Sequence, residues 1–140
     1  MKTIARLMIS GTLLLGMNAQ AEIAIIVAPS VQLDSIDIQQ LERLYLARPN
    51  RYPNGVKLDP ADQASGSGIR QEFTRKVLLK TENEVAEYWS RRMFSGKGKP
   101  PHQYKGDEAV INGVLEWPGS LGYIDSESVD DRVKVLTRLP

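Results

Sequence analysis

Residues 63–70 read QASGSGIR. Ser65 and Ser67 bring two hydroxyls, and Arg70 brings a guanidinium able to form a forked, charge-assisted pair. Gly66 and Gly68 let the backbone approach a guest with no Cβ in the way. Gln63 adds a side-chain amide at the start of the stretch. A helical pattern begins at once, and the first turn of a helix carries N–H groups without partners and a partial positive charge. This set suits phosphate, sulfate or carboxylate. The plainer alternative is a capped helix, with Ser67 as the cap and the glycines shaping the turn. The phosphate loop GxxxxGK[ST] is absent, and the dinucleotide fingerprint fails because Gln71 stands where its third glycine belongs.

Other chemistry is thin. His102 is the single histidine and there is no cysteine, so nothing forms a metal set and no metal or cofactor is expected. GxSxG is missing, no Ser-His-Asp order stands out, and no residue is assigned a catalytic role. Asp130 and Asp131 read as a solvated turn. Trp89 and Trp117 fall at helical spacings and read as core. Lys97 and Lys99 belong to a mobile, solvated stretch that could meet an anion.

The elements that must position the Gly-Ser loop follow from periodicity. "EIAIIVA" from Glu22 is a continuous apolar, β-branched run, which predicts a strand buried on both faces. "SIDIQQLERLYLA" places Ile38, Leu41, Leu44 and Tyr45 on one helical face, with Ser35 as cap. "RPNRYPNG" ends that helix. "VKLDPADQ" predicts a strand, frayed or at an edge because of Pro60. After the loop, "IRQEFTRKVLL" is helical through Ile69, Phe73, Val77 and Leu78. A second helix opens on the capping box of Thr81 and Glu84, with Val85, Tyr88, Trp89 and Met93 as its stripe. "SGKGKPPHQYKG" reads as a long loop, "DEAVINGVLEW" as a helix, and "SLGYID" and "VKVLTRL" as two closing strands. Strands alternating with helices predict an α/β domain with a mixed or largely parallel sheet. The Ser-Gly loop would leave the C-terminal end of a strand, where ligands gather in such sheets.

The opening residues predict a separate segment. "MKTIAR", the apolar "LMISGTLLLGM" and "NAQA" have the layout of a secretory signal over 1–21, cleaved after Ala21. The apolar run is short of the about 20 residues a membrane span needs. The expected mature chain, 22–140, suits one domain. It would carry 16 basic and 17 acidic residues once Lys2 and Arg6 are removed. That balance gives no global field for nucleic acid or an anionic membrane, so an anion must be caught locally. An exported chain without cysteine fits a bacterial periplasm.

The run "LERLYLARPNRYPNGVKLDPADQASGSGIRQEFTRKVL" is similar to the second lobe of the phosphate-binding proteins of bacterial ABC uptake systems. "FSGKG" and "WPGSLGYID" resemble two later signposts of that family, in the same order, so the likeness extends from Ile23 to Leu136. It implies a single lobe of a type II periplasmic-binding-protein-like fold, with a small mixed sheet flanked by helices. The resemblance also implies phosphate or a related small oxyanion as ligand, held by Gly66, Ser67 and Gly68. Departures are visible. Gln63 stands where the family has arginine, Ser65 where it has the aspartate that accepts a phosphate proton, and Ile69 where it has threonine. Arg70, one residue on, is the candidate replacement for the lost charge, and Ser30 after the first strand is a further candidate hydroxyl. One lobe leaves a half-site, which implies a partner lobe or self-association. The altered positions leave open a second expectation: an interaction module that keeps the fold and docks on an envelope protein.

Overall fold

The computed structural model describes residues 21–47 and 55–140. The basic and apolar opening segment and the Pro-rich helix stop at 48–54 lie outside the described residues. The elements run β1 (Ile23–Val27), α1 (Ile38–Tyr45), β2 (Asp59–Gln63), α2 (Gly68–Phe73) continuing into a π-helical turn at Thr74–Leu78, α3 (Glu82–Phe94), β3 (His102–Tyr104), α4 (Asp107–Glu116), β4 (Ser120–Asp125) and β5 (Lys134–Leu139). The five strands form one sheet in the order β3-β2-β4-β1-β5. β2 is parallel to both β3 and β4, while β1 is antiparallel to both β4 and β5, so the sheet is mixed.

β1 is the expected two-sided strand, with all five residues fully buried. Neighbouring residues of β4 show what covers each face. A Cβ at Gly122 would lie 2.6 Å from a Val110 methyl, which puts α4 on that side. Successive side chains of a strand point to opposite faces. Tyr123 therefore points the other way, stacked on Phe73 at a centroid distance of 3.9 Å and edge-on to Tyr45. Helices thus cover both faces: α4 on one, α1 and α2 on the other. The Tyr45 hydroxyl also donates to the Ala61 carbonyl at 2.8 Å, tying α1 to β2. On the opposite face, a Cβ at Gly113 would meet the Tyr104 ring at 2.5 Å, so α4 lies closely on β3.

Several expectations need correction. β2 is an interior strand despite Pro60. Its pairing with β3 begins at Ala61, so the missing N–H falls before that ladder, and Asp59 N is bonded to Gly119 O at 2.8 Å. The long loop after α3 contains β3, whose three residues are too few to show a period. The cap of α1 is Asp37, not Ser35, in a reciprocal capping box with Gln40. Ile38 consequently sits in the first turn, 47% exposed, outside the apolar stripe. Trp117 is 64% exposed rather than core, because the chain leaves α4 there. Met93 is likewise half exposed at the end of α3, whereas Val85 and Trp89 are buried as expected. Thr81 and Glu84 do form the predicted capping box. Among the described residues no helix is long and apolar enough to cross a membrane.

Candidate functional site

The Gly-Ser loop leaves the C-terminal end of β2 and turns into α2. Ala64 O accepts from Ser67 N at 3.1 Å, closing the turn, and Gly66 takes φ +84°, a value that favours glycine. Ser67 then caps α2, its Oγ accepting from Arg70 N at 3.4 Å. This is the local role the bare sequence also allowed.

Arg70 is not an exposed cation on the first turn. It is buried, 7% exposed, because α2 folds it back against the end of β2. There its Nε donates to Asp62 Oδ2 at 3.1 Å and its Nη1 to Glu82 Oε1 at 2.7 Å. The same Glu82 oxygen accepts from Gly66 N at 3.1 Å. One backbone N–H of the loop and one arm of the guanidinium therefore converge on a single carboxylate oxygen. Behind them, Asp62 Oδ1 accepts from the Tyr123 hydroxyl at 2.5 Å and from Gln63 N at 2.9 Å.

These contacts set the charges. Burial alone would lower the Arg70 pKa, but the charge of Asp62 and hydrogen bonds to Glu82 and Asp62 outweigh it and raise the value further. Burial would raise the Glu82 carboxyl, yet the bonds from Arg70 and Gly66 pull it below the ordinary carboxylate value. Tyr123 is pushed far up by burial and by the neighbouring Asp62 charge, so its hydroxyl stays a neutral donor.

The other expected site residues are placed as follows. Gln63 is 1% exposed and turned inward, its Nε2 donating to Asp107 Oδ1 at 2.9 Å and Tyr123 O at 3.0 Å, so it fastens β2 to α4 and does not face the loop's exterior. Ser65 is exposed and tied to β3, its N donating to Gln103 Oε1 at 3.3 Å and its Oγ accepting from Gln103 Nε2 at 3.1 Å. Gly68, the first residue of α2, has open space where a Cβ would be. Ser30 is not brought to the loop. Val27 and Pro60 share Leu121 of β4 as partner, on antiparallel and parallel sides, so the turn after β1 lies at the opposite end of the sheet.

Sequence reasoning passed over Asp62, Glu82 and Gln103. Asp62 was read only as part of a strand. Glu82 was read only as the first residue of a helix, although the capping box of Thr81 and Glu84 leaves its side chain free to bond elsewhere. Beside the loop, a groove of about 430 Å³ is lined by Ser65, Glu82, Asn83, Trp89, Met93 and Gln103, among others.

No protein-family model matches the chain, and no curated protein does. Solved structures do. The chain is similar to a phosphate ABC transporter substrate-binding protein with bound phosphate from Clostridium perfringens (TM-score 0.66, 20% identity, 84% of this chain and 45% of that one). It is similar also to an ABC-type phosphate transport receptor from Vibrio cholerae (TM-score 0.64, 17% identity, 84% and 46%). A third likeness is to PstS from Borrelia burgdorferi (TM-score 0.61, 17% identity, 84% and 47%). The chain therefore has the fold of one lobe of a phosphate ABC transporter substrate-binding protein. It spans less than half the length of these structures.

Proposed function

We propose that this chain is a non-enzymatic binding module that takes phosphate or a related small oxyanion at the loop between Ser65 and Arg70. The convergence of Gly66 N–H and Arg70 Nη1 on one carboxylate oxygen carries the reading, since it is an oxyanion-holding geometry already filled by an oxyanion. The fold supports it, because the similar structures are described as phosphate transport or substrate-binding proteins, one with phosphate bound. The segment 1–21 would direct the chain to the periplasm, where it could serve ABC-type phosphate uptake. One lobe bounds a guest on one side only. In water each neutral hydrogen bond is then worth about 1 kcal/mol, so tight binding calls for a partner lobe or a second copy.

A second reading has its own support: the cradle's donors are occupied by Glu82, and Met93 and Phe94 stand 50% and 97% exposed at the end of α3. On that reading the chain is a ligand-free interaction module docking on an envelope protein. Calorimetric titration with phosphate, with sulfate as control, separates the two. Saturable phosphate binding that Arg70→Lys and Ser67→Ala both weaken is the result expected of the anion module. No saturable heat at millimolar phosphate removes the anion reading for the free chain and leaves the docking one.

A further inference from the structure

Counting charge around Arg70 shows how a guest must enter. Asp62 and Glu82 face one guanidinium, so the cluster already carries one excess negative charge. An anion added beside Glu82 would put three negative groups on a single arginine, and like charges at this range oppose one another strongly where burial is high. The donors point the same way. Gly66 N and Arg70 Nη1 both serve Glu82 Oε1, and Ser65 N serves Gln103.

Resting on the anion reading above, we infer that Glu82 is the resident occupant of the cradle, and that an external oxyanion binds by displacing it. Three features make this exchange mechanically simple. Glu82 is the first residue of α3, and the helix start is held by Thr81 and Glu84, so its side chain can leave without loosening the cap. Its side chain is 22% exposed on the border of the groove beside the loop, so it has somewhere to go. Arg70 stays fixed when Glu82 leaves, because its Nε remains on Asp62, which Tyr123 and Gln63 hold from behind. The cradle thus persists in the open state. The apparent affinity of the chain is its intrinsic affinity reduced by the fraction of time Glu82 is out.

The test is a phosphate titration of the wild type, Glu82→Ala and Glu82→Gln by calorimetry, with the Gly66 amide resonance followed by NMR. Glu82→Gln keeps the shape and an acceptor oxygen, which guards against an unfolded alanine variant. Loss of an occupant held by charge-assisted bonds predicts about tenfold or more tighter phosphate binding in Glu82→Ala, with Glu82→Gln between it and the wild type. The Gly66 amide should shift on phosphate addition in all three, furthest at low phosphate in the alanine variant. Equal affinity in wild type and both folded variants overturns the inference while the anion reading stands. Binding by the variants alone shows a cradle that Glu82 keeps shut against phosphate, and it overturns displacement in the wild-type chain along with the anion reading. No binding by any of the three overturns both.

Discussion

Arg70 and Arg132 each bridge two carboxylates, and they do it in different surroundings. Arg132 grips Glu108 with Nη1 and Nη2, at 2.8 and 3.0 Å, and Asp130 with Nε and Nη2, joining the turn before β5 to α4. Its side chain is 38% exposed and those of its partners 67% and 43%. Arg70 makes fewer contacts, but its side chain is 8% exposed and those of Asp62 and Glu82 are 10% and 22%. Bond count therefore ranks the two clusters in the wrong order. The surface pair sits in water and salt, where attraction is screened. The buried cluster carries desolvated charges, and removing one member leaves the others stranded. Both clusters hold a backbone N–H on a carboxylate, Arg132 N on Asp130 and Gly66 N on Glu82, but only the second does so on a largely buried guanidinium.

Three experiments would break or sharpen this contrast. The largest effect is expected for Arg70→Ala, which strands Asp62 and Glu82 and should destabilise the chain by about 3–5 kcal/mol in denaturant unfolding. A loss no greater than that of Arg132→Ala would erase the difference between the clusters. Next comes Glu82→Gln, which at neutral pH should cost about 1 kcal/mol after allowing for its partial exposure. Its sign with pH is fixed by the depressed Glu82 pKa. The charged carboxylate contributes fully above its unfolded value of about 4.3, and that contribution is lost as pH falls through the lower folded value. The gap between wild type and variant should therefore close on acidification below about pH 4, and a gap that widens there would contradict the assignment. The smallest effect is Arg132→Ala. Its melting temperature should drop slightly at low ionic strength and match the wild type in about 1 M salt, where the Debye length is about 3 Å. An undiminished drop in salt would show the surface pair to be less open than its exposure indicates.

Much of the fold was legible because hydrophobic pattern reports burial directly. The apolar, β-branched run IAIIV fitted a strand covered on both faces, and Thr81 with Glu84 marked the start of α3 within a residue. What escaped was information the chain holds only in three dimensions. β3 is three residues long and exists because Ala61, Asp62 and Gln63 offer it a partner. The π-helical turn at Thr74–Leu78 leaves no compositional mark. At the site, the Gly-Ser turn and the Ser67 cap were readable from local chemistry. The fate of Arg70 was not, since it depends on Asp62 eight positions back and Glu82 twelve positions on. Ser30 failed for a topological reason: β1, the strand it follows, runs against β2, and strand direction is not written in strand composition.

The three-residue β3 also bears on how this chain coexists with copies of itself. It is one outer strand of the sheet, and an outer strand offers unpaired N–H and C=O groups to any neighbour. Here that template is kept to three residues. Pro100 and Pro101 precede it without a donor to give, while Lys97, Lys99 and Lys105 flank it with exposed positive charge. Strand-to-strand growth from this side is thereby discouraged at high local concentration, and the sheet can remain five strands wide.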